Sequence, residues 1–274
     1  MNIKDITDRV FEYLDDKIYL TIVEKWNELG KAGKKSTVTD SNPNRQVEIH
    51  NLIRRQHNDQ IVTFIRPLLE NQLKAIVPEA GFWFSGSPPP GTTLKWVVSP
   101  WQNEPMASGI VSVALQKGDE LLMGILANLS RIRVATAAQG SGAHEENTAL
   151  KVNERLLTSQ SSNVQCFIEK RITETPYAPL VRVLRHTYNI PVQVNTVASN
   201  ISVFNTDVAR GELDFSMGYH FHYPDIAASV CIAEQAGGVV TDFSGGKEKL
   251  LGGEEFFCSN PLIHRQFMEL AKQL

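Results

Sequence analysis

The stretch Asp225-Ile-Ala-Ala-Ser-Val-Cys-Ile-Ala-Glu-Gln-Ala-Gly237 constrains the fold more than any other part of the sequence. Its apolar residues are mostly small, so as a helix it lets neighbouring elements approach closely, with Cys231 on its buried face. Gly237 is placed to end the helix, and Gly238-Val-Val-Thr-Asp242 then opens a strand.

The rest of the chain divides into two kinds of pattern. Val10, Phe11, Leu14, Ile18, Ile22 and Trp26 recur at three- and four-residue steps and predict a long amphipathic helix that ends near Gly30 to Gly33. A second helical stretch starts at about Arg45 and continues through Asp59, with Pro67 expected to kink or divide it. Ser85 to Gly91 reads as a rigid extended loop around three prolines. Strands are predicted at Leu94–Val98, at Ile110–Leu115 and Leu121–Leu126 joined as a hairpin by Lys117-Gly-Asp119, and at Arg131–Thr136 before a turn at Gln139 to Ala143. After Val164 helix and strand alternate. The division expected is an α+β part with an antiparallel sheet over 1–150 and an α/β part over 151–274, meeting near residues 145 to 160 within one continuous unit.

Composition removes several functional classes. The 274 residues, 42% of them hydrophobic, suffice for one large core or two packed halves. A net charge of -3, with no long block of either sign, gives no footprint for nucleic acid or a membrane surface. Three cysteines, Cys166, Cys231 and Cys258, supply neither a disulfide framework nor a zinc spacing, and a reducing cytoplasm is the expected compartment. The amino terminus mixes acids into its apolar residues, and no apolar run reaches the ~18 residues of a membrane span. Gln139-Gly-Ser-Gly142 is a turn, since no G-x-G-x-x-G follows a strand.

Several strings resemble the inositol monophosphatase family of metal-dependent sugar and nucleotide phosphatases. His222-Tyr-Pro-Asp225-Ile-Ala-Ala followed by Ala233-Glu-Gln-Ala-Gly-Gly-Val-Val-Thr-Asp242-Phe-Ser-Gly-Gly is similar to the family's W-D-x-A-A…E-A-G-G-x-x-x-D-x-x-G-G. Phe257-Cys-Ser-Asn260 with its following helix, Gly118, Gly140, Gly142, and Trp96-Val-Val-Ser-Pro100 fit as well. The resemblance implies an α+β fold, a layered α-β-α-β-α sandwich of the inositol monophosphatase and fructose-1,6-bisphosphatase type, and a homodimer as the default assembly.

It also implies Mg²⁺ held by hard carboxylates, and here the chain departs from the pattern. Where the family reads D-P-[IL]-D-G-T, this chain reads Ser99-Pro-Trp101-Gln102-Asn103-Glu104. Both acids are replaced, and Glu104 stands where backbone N–H groups hold the phosphate in the family, so its charge opposes a phosphate there. The family's G-E-E loop falls in Gly81-Phe-Trp-Phe-Ser-Gly86, which holds no acid. A further family acid aligns with Asn42 or, with an insertion, with Asp59. Ser216 occupies the position of the substrate-binding acid. Asp225 is the one secure match, and its place at a helix start also suits a cap.

Mg²⁺ is therefore expected for the family but its ligands are largely missing, and the expected cofactor is none. Asp225 and Asp59 are the remaining metal candidates. His220-Phe-His222-Tyr-Pro-Asp225 is an H-x-H-x-x-D string suited to a replacement Zn²⁺, Fe²⁺ or Mn²⁺, or alternatively to a turn cap and packing. Phe82, Trp83, Phe84 and Trp101 either fill the vacated cavity or line an apolar pocket for another small molecule.

The leading expectation is a catalytically degenerate pseudophosphatase that acts by binding a protein partner or small ligand, with Ser99, Trp101, Gln102, Asn103, Glu104, Ser216, His222 and Asp225 marking the vestigial site. One alternative is a repurposed metal-free biosynthetic enzyme in which Glu104 pairs with His222 or Asp225 for acid-base work. The other is weak residual Mg²⁺-dependent phosphatase activity through Asp225, Asp59 and Glu79.

Overall fold

The computed structural model describes the chain apart from residues 19, 22–23, 26–27, 29–42, 104–107, 129–132, 159–163, 170–171, 173–174, 189–193, 196–200 and 274. At 15–16, 43–58, 101–103, 108, 169 and 194–195 it describes the backbone only. Two compact units emerge: Asp8–Ala80, and Met1–Thr7 with Gly81–Leu274. The expected boundary near residue 150 falls inside the larger unit, between its two sheets.

Helix α1 (Ile3–Tyr13) runs into a short π-helical stretch, Leu14–Ile18, and Val10, Leu14 and Ile18 are buried as their spacing predicts. Ile22 and Trp26 lie outside the described residues. Helix α2 (Pro43–Ile76) is unbroken and carries Pro67 inside it. The expected division at Pro67 therefore does not occur. Ile61, Ile65, Leu69 and Leu73 form one buried stripe, whereas Thr63 and Pro67 are exposed. The Thr63 carbonyl that Pro67 cannot bond thus belongs to an exposed residue, where water can replace the missing donor.

The larger unit holds two sheets. The first is a meander of seven strands in chain order: β1 (Gly81–Trp83), β2 (Leu94–Asn103), β3 (Ser108–Lys117), β4 (Glu120–Asn128), β5 (Arg133–Ala138), β6 (Gly142–Glu145) and β7 (Thr148–Ala149). β1, in the Gly81–Gly86 stretch for which the family resemblance implies a loop, adds in parallel to β2, and every other pairing is antiparallel. Lys117-Gly118-Asp119 makes the expected hairpin turn, with Gly118 at φ 59.

The second sheet has the order β11-β12-β10-β8-β9, from β8 (Cys166–Glu169), β9 (Val194–Asn195), β10 (Phe215–Tyr219), β11 (Val239–Thr241) and β12 (Glu255–Ser259). Between the sheets lie α4 (Ile201–Ala209) and α5 (Tyr223–Gln235), while α3 (Ala178–Tyr188) and α7 (Pro261–Ala271) cover the outer face of the second sheet. A one-turn helix, α6 (Glu248–Leu251), precedes β12.

Helix α5 is the small-residue segment, and its burial explains its composition. Ala227, Ala228, Cys231, Ile232 and Ala233 are all within 1% of full burial. At Gly124 of β4 a Cβ would meet the Ala228 carbonyl oxygen at 2.6 Å, so helix and sheet approach too closely for any side chain there. Gly237 at φ 87 follows the helix and turns the chain into β11. No described helix is long and apolar enough to cross a membrane.

Candidate functional site

Ser99 lies on β2 and points to the inter-helical layer, as does Ser112 on the neighbouring strand. Both reach the start of α5: Ser99 Oγ donates to Asp225 Oδ1 at 2.6 Å, and Ser112 Oγ donates to the Pro224 carbonyl at 3.3 Å. Directly beyond Ser99 the β2–β3 register shifts, so the strand bulges over residues 100–102.

Helix α5 starts two residues earlier than expected. His222 occupies the N-cap position with extended backbone, but its side chain makes no cap hydrogen bond. Asp225 sits in the first turn, where the helix dipole favours a carboxylate, yet its Oδ1 accepts from Ser99. Burial pushes the Asp225 carboxyl above its ordinary value, while the Ser99 hydroxyl and the nearby His222 imidazole act in the opposite direction.

Beside this contact a cavity of about 580 Å³ opens between the Ser85–Gly91 loop, the chain from His220 to Pro224, and the turn Leu251–Gly253. Of the aromatic residues expected here, Trp83 is in the described lining, Phe82 and Phe84 are not, and the Trp101 side chain lies outside what the structure describes. Trp83 and Tyr223 form buried wall, their ring centroids 5.2 Å apart. Phe82 and Phe84 stack on each other at 5.8 Å.

The remaining candidates are distributed as follows. Ser216 is fully buried and belongs to a different arrangement: its Oγ donates to Asn205 Oδ1 at 2.6 Å, Asn205 Nδ2 donates to Ser229 Oγ, and Ser229 Oγ donates to the Ile226 carbonyl. It does not line the cavity. Trp101, Gln102 and Asn103 are described in backbone only, and Glu104 lies outside the described residues, as does Asn42. Asp59 and Glu79 are exposed in the helical unit. Among the described side chains, Ser99, His222 and Asp225 are thus the predicted residues that the fold brings together.

Among the described residues no three His, Cys, Asp or Glu side chains converge to hold a metal. The H-x-H-x-x-D string accordingly does not form a three-ligand site, because His220 is turned away from regular geometry by a left-handed backbone, φ 53, and its ring packs on Tyr219 at 4.2 Å. A neutral hydroxyl and one carboxylate that it already occupies do not make a Mg²⁺ centre, which demands several hard oxygen ligands. The described residues do not fit the metal that the family resemblance implies.

Two contributors to this region were missed at the level of sequence. The Gly252-Gly253 turn forms a cavity wall, with Gly253 at φ 74 and a Cβ there only 2.4 Å from the Phe221 carbonyl oxygen. Lys95 is buried, with Nζ 5.7 Å from the centroid of the Trp83 ring and 3.4 Å from the Gly118 carbonyl. The glycine pair carried a turn signal; nothing in the sequence linked Lys95 to Trp83.

The fold and the β2–α5 junction define a layered α+β sandwich of the sugar-phosphatase type. Comparisons with known proteins agree. The model of the inositol monophosphatase family matches residues 108–274, and the chain belongs to that family. A fructose-1,6-bisphosphatase/inositol-1-monophosphatase of Thermotoga maritima is 26% identical over 166 residues, 60% of this chain and 60% of that protein. The alignment therefore spans less than two thirds of this relative's length. Among solved structures, the extragenic suppressor protein SuhB of Bartonella henselae has a TM-score of 0.64 at 18% identity, covering 94% of this chain and 99% of that one. Staphylococcal IMPase-II has a TM-score of 0.66 at 14% identity, covering 92% and 96%.

Proposed function

We propose that this chain is a catalytically degenerate member of the inositol monophosphatase family, a pseudophosphatase that works by binding a small ligand or a partner. The observation that carries the reading is the 2.6 Å hydrogen bond from Ser99 to Asp225. Ser99 stands where the family places a metal-binding acid, and its hydroxyl engages Asp225, the one secure match among the family's metal-site acids. A hydroxyl and an amide bind Mg²⁺ far more weakly than carboxylates. The reaction of the family depends on metal to activate water and neutralise the phosphate, and loss of several ligands removes that route.

One further point supports the reading. Ser216, in place of the substrate-binding acid, is tied into a buried hydroxyl-amide chain. The reading keeps a homodimer as the default assembly, a cytoplasmic setting, and no resident cofactor.

The test is hydrolysis of inositol 1-phosphate and of a nucleotide bisphosphate in excess Mg²⁺, with the thermal midpoint followed in parallel. The reading expects neither turnover nor a Mg²⁺-dependent shift. A specific ligand at a hundred times its dissociation constant would stabilise the protein by ~2.7 kcal/mol.

A further inference from the structure

The helical layer outside the second sheet carries cations in excess. Helix α3 turns Leu180, Val181 and Leu184 inward, and α7 does the same with Ile263 and Phe267. Their outward faces present Arg182 and Arg185 on α3, Arg265 on α7 and Lys272 at its end, all exposed, with Glu269 as the one acid on the two helices. None of the four cations has an ion-pair partner among the described residues. Helix carboxyl ends favour cations, which accounts for Arg185 and Lys272. Arg182 and Arg265 lie inside their helices, beyond the reach of that effect. On a chain of net charge -3, four unpaired cations on two neighbouring helices are a local reversal of sign. The two helices are far apart in sequence, so no block of charge shows there.

An apolar edge adjoins these cations. The Asn260 side chain caps α7 by accepting from the Leu262 and Ile263 amides, and it also donates to the Arg155 carbonyl at 3.0 Å. Gln266 Nε2 donates to the Leu157 carbonyl at 2.8 Å. Residues 155–157 are thereby laid along α7, which brings two exposed leucines, Leu156 at 52% and Leu262 at 37%, to the start of that helix.

Four cations suit an anion, and the leucines select its kind. Strong binding to nucleic acid takes about 6–10 phosphate contacts, more than this face supplies, and a phosphate backbone gives leucine nothing to pack on. A protein segment that mixes carboxylates with apolar side chains matches both parts of the surface. We propose that the outer face of α3 and α7, with Leu156 and Leu262 at its edge, docks an acidic, leucine-bearing segment of a partner protein. This names the kind of partner for the reading of the chain as one that works by binding, and it rests on that reading.

The experiment uses the full chain with three fluorescent probes: a short peptide of mixed glutamate and leucine, an all-glutamate peptide of the same length, and a single-stranded oligonucleotide of the same charge. Anisotropy titrations at about 20 mM and about 200 mM salt read the binding. The mixed peptide is expected to bind most tightly of the three and to weaken as salt rises. Arg182→Glu combined with Arg265→Glu is expected to weaken it at least about tenfold, with the melting curve still cooperative. Leu156→Ser combined with Leu262→Ser is expected to weaken it at least about threefold. Lys4→Glu combined with Lys117→Glu makes the same change of charge at exposed positions on α1 and β3. It is expected to leave binding within about twofold. No binding of the mixed peptide at low salt, undiminished binding by the arginine or the leucine variant, an equal loss in the lysine variant, or tighter binding of the oligonucleotide overturns the proposal. Turnover of inositol 1-phosphate with Mg²⁺ in the same samples would overturn the degenerate reading on its own, whichever way the peptides behave.

Discussion

Ser99 on β2 and Asp225 in the first turn of α5, 126 residues apart, are joined by a 2.6 Å hydrogen bond in which the serine hydroxyl donates to the carboxylate. This contact ties the first sheet to the central helix at the place where the family would gather metal. It gives a part-buried carboxyl a protein donor and makes Ser99 a structural residue as well as the residue on which the proposed function rests.

Ser99→Ala is expected to lower stability by about 1–3 kcal/mol, since the carboxyl loses a donor and stays part-buried. Urea denaturation checks this. Combined with Asp225→Asn in a double-mutant cycle, the pair should show a coupling energy of about 0.5–3 kcal/mol. Strictly additive effects would mean that the contact contributes nothing of its own.

Gly253 holds the turn that meets Phe221. At φ 74, with a Cβ only 2.4 Å from the Phe221 carbonyl oxygen, Gly253→Ala must bend the backbone and push the two turns apart. A loss of at least about 1 kcal/mol is expected, seen as a lower thermal midpoint. Gly86→Ala shares the positive φ but meets nothing within 4 Å, so it should cost less.

Asp242 predicts a pH effect. Its buried carboxylate accepts from the Ser244 amide and hydroxyl, the Gly246 amide and the Lys249 amide. Burial raises its pKa, but these hydrogen bonds outweigh that and hold it below the ordinary carboxylate value. A pKa depressed in the folded state stabilises above the unfolded value and ceases to do so as pH falls through the folded one. Asp242→Asn should therefore destabilise by about 1–3 kcal/mol at neutral pH. The gap to the unaltered protein should narrow below about pH 4 in urea midpoints taken across the acid range. A gap independent of pH would assign the loss to packing.

Much of the fold was legible because it rests on local signals. The small residues of α5 marked a buried helix, Gly237 marked its end, and Lys117-Gly118-Asp119 marked a hairpin. Pro67 misled because a proline on an exposed face leaves its free carbonyl to water, and the sequence does not say which face is exposed without the helix's partners. β1 was missed because three residues beside a proline loop carry almost no pattern, and their pairing with β2 is what makes them a strand. At the site, the resemblance put Ser99 and Asp225 in one region. The hydrogen bond between them, the diversion of Ser216 to Asn205, and the joining of the 220–224 and 251–253 turns are tertiary events with no local signature.

The most direct test of the central claim is a turnover assay with inositol 1-phosphate in excess Mg²⁺, run beside Ser99→Asp to restore the family's acid at that position. No phosphate release above background from the unaltered chain is the expected result, whether or not the variant regains any Mg²⁺ binding. Sustained Mg²⁺-dependent release by the unaltered chain, abolished by Asp225→Asn, would show a working metal centre and contradict the account.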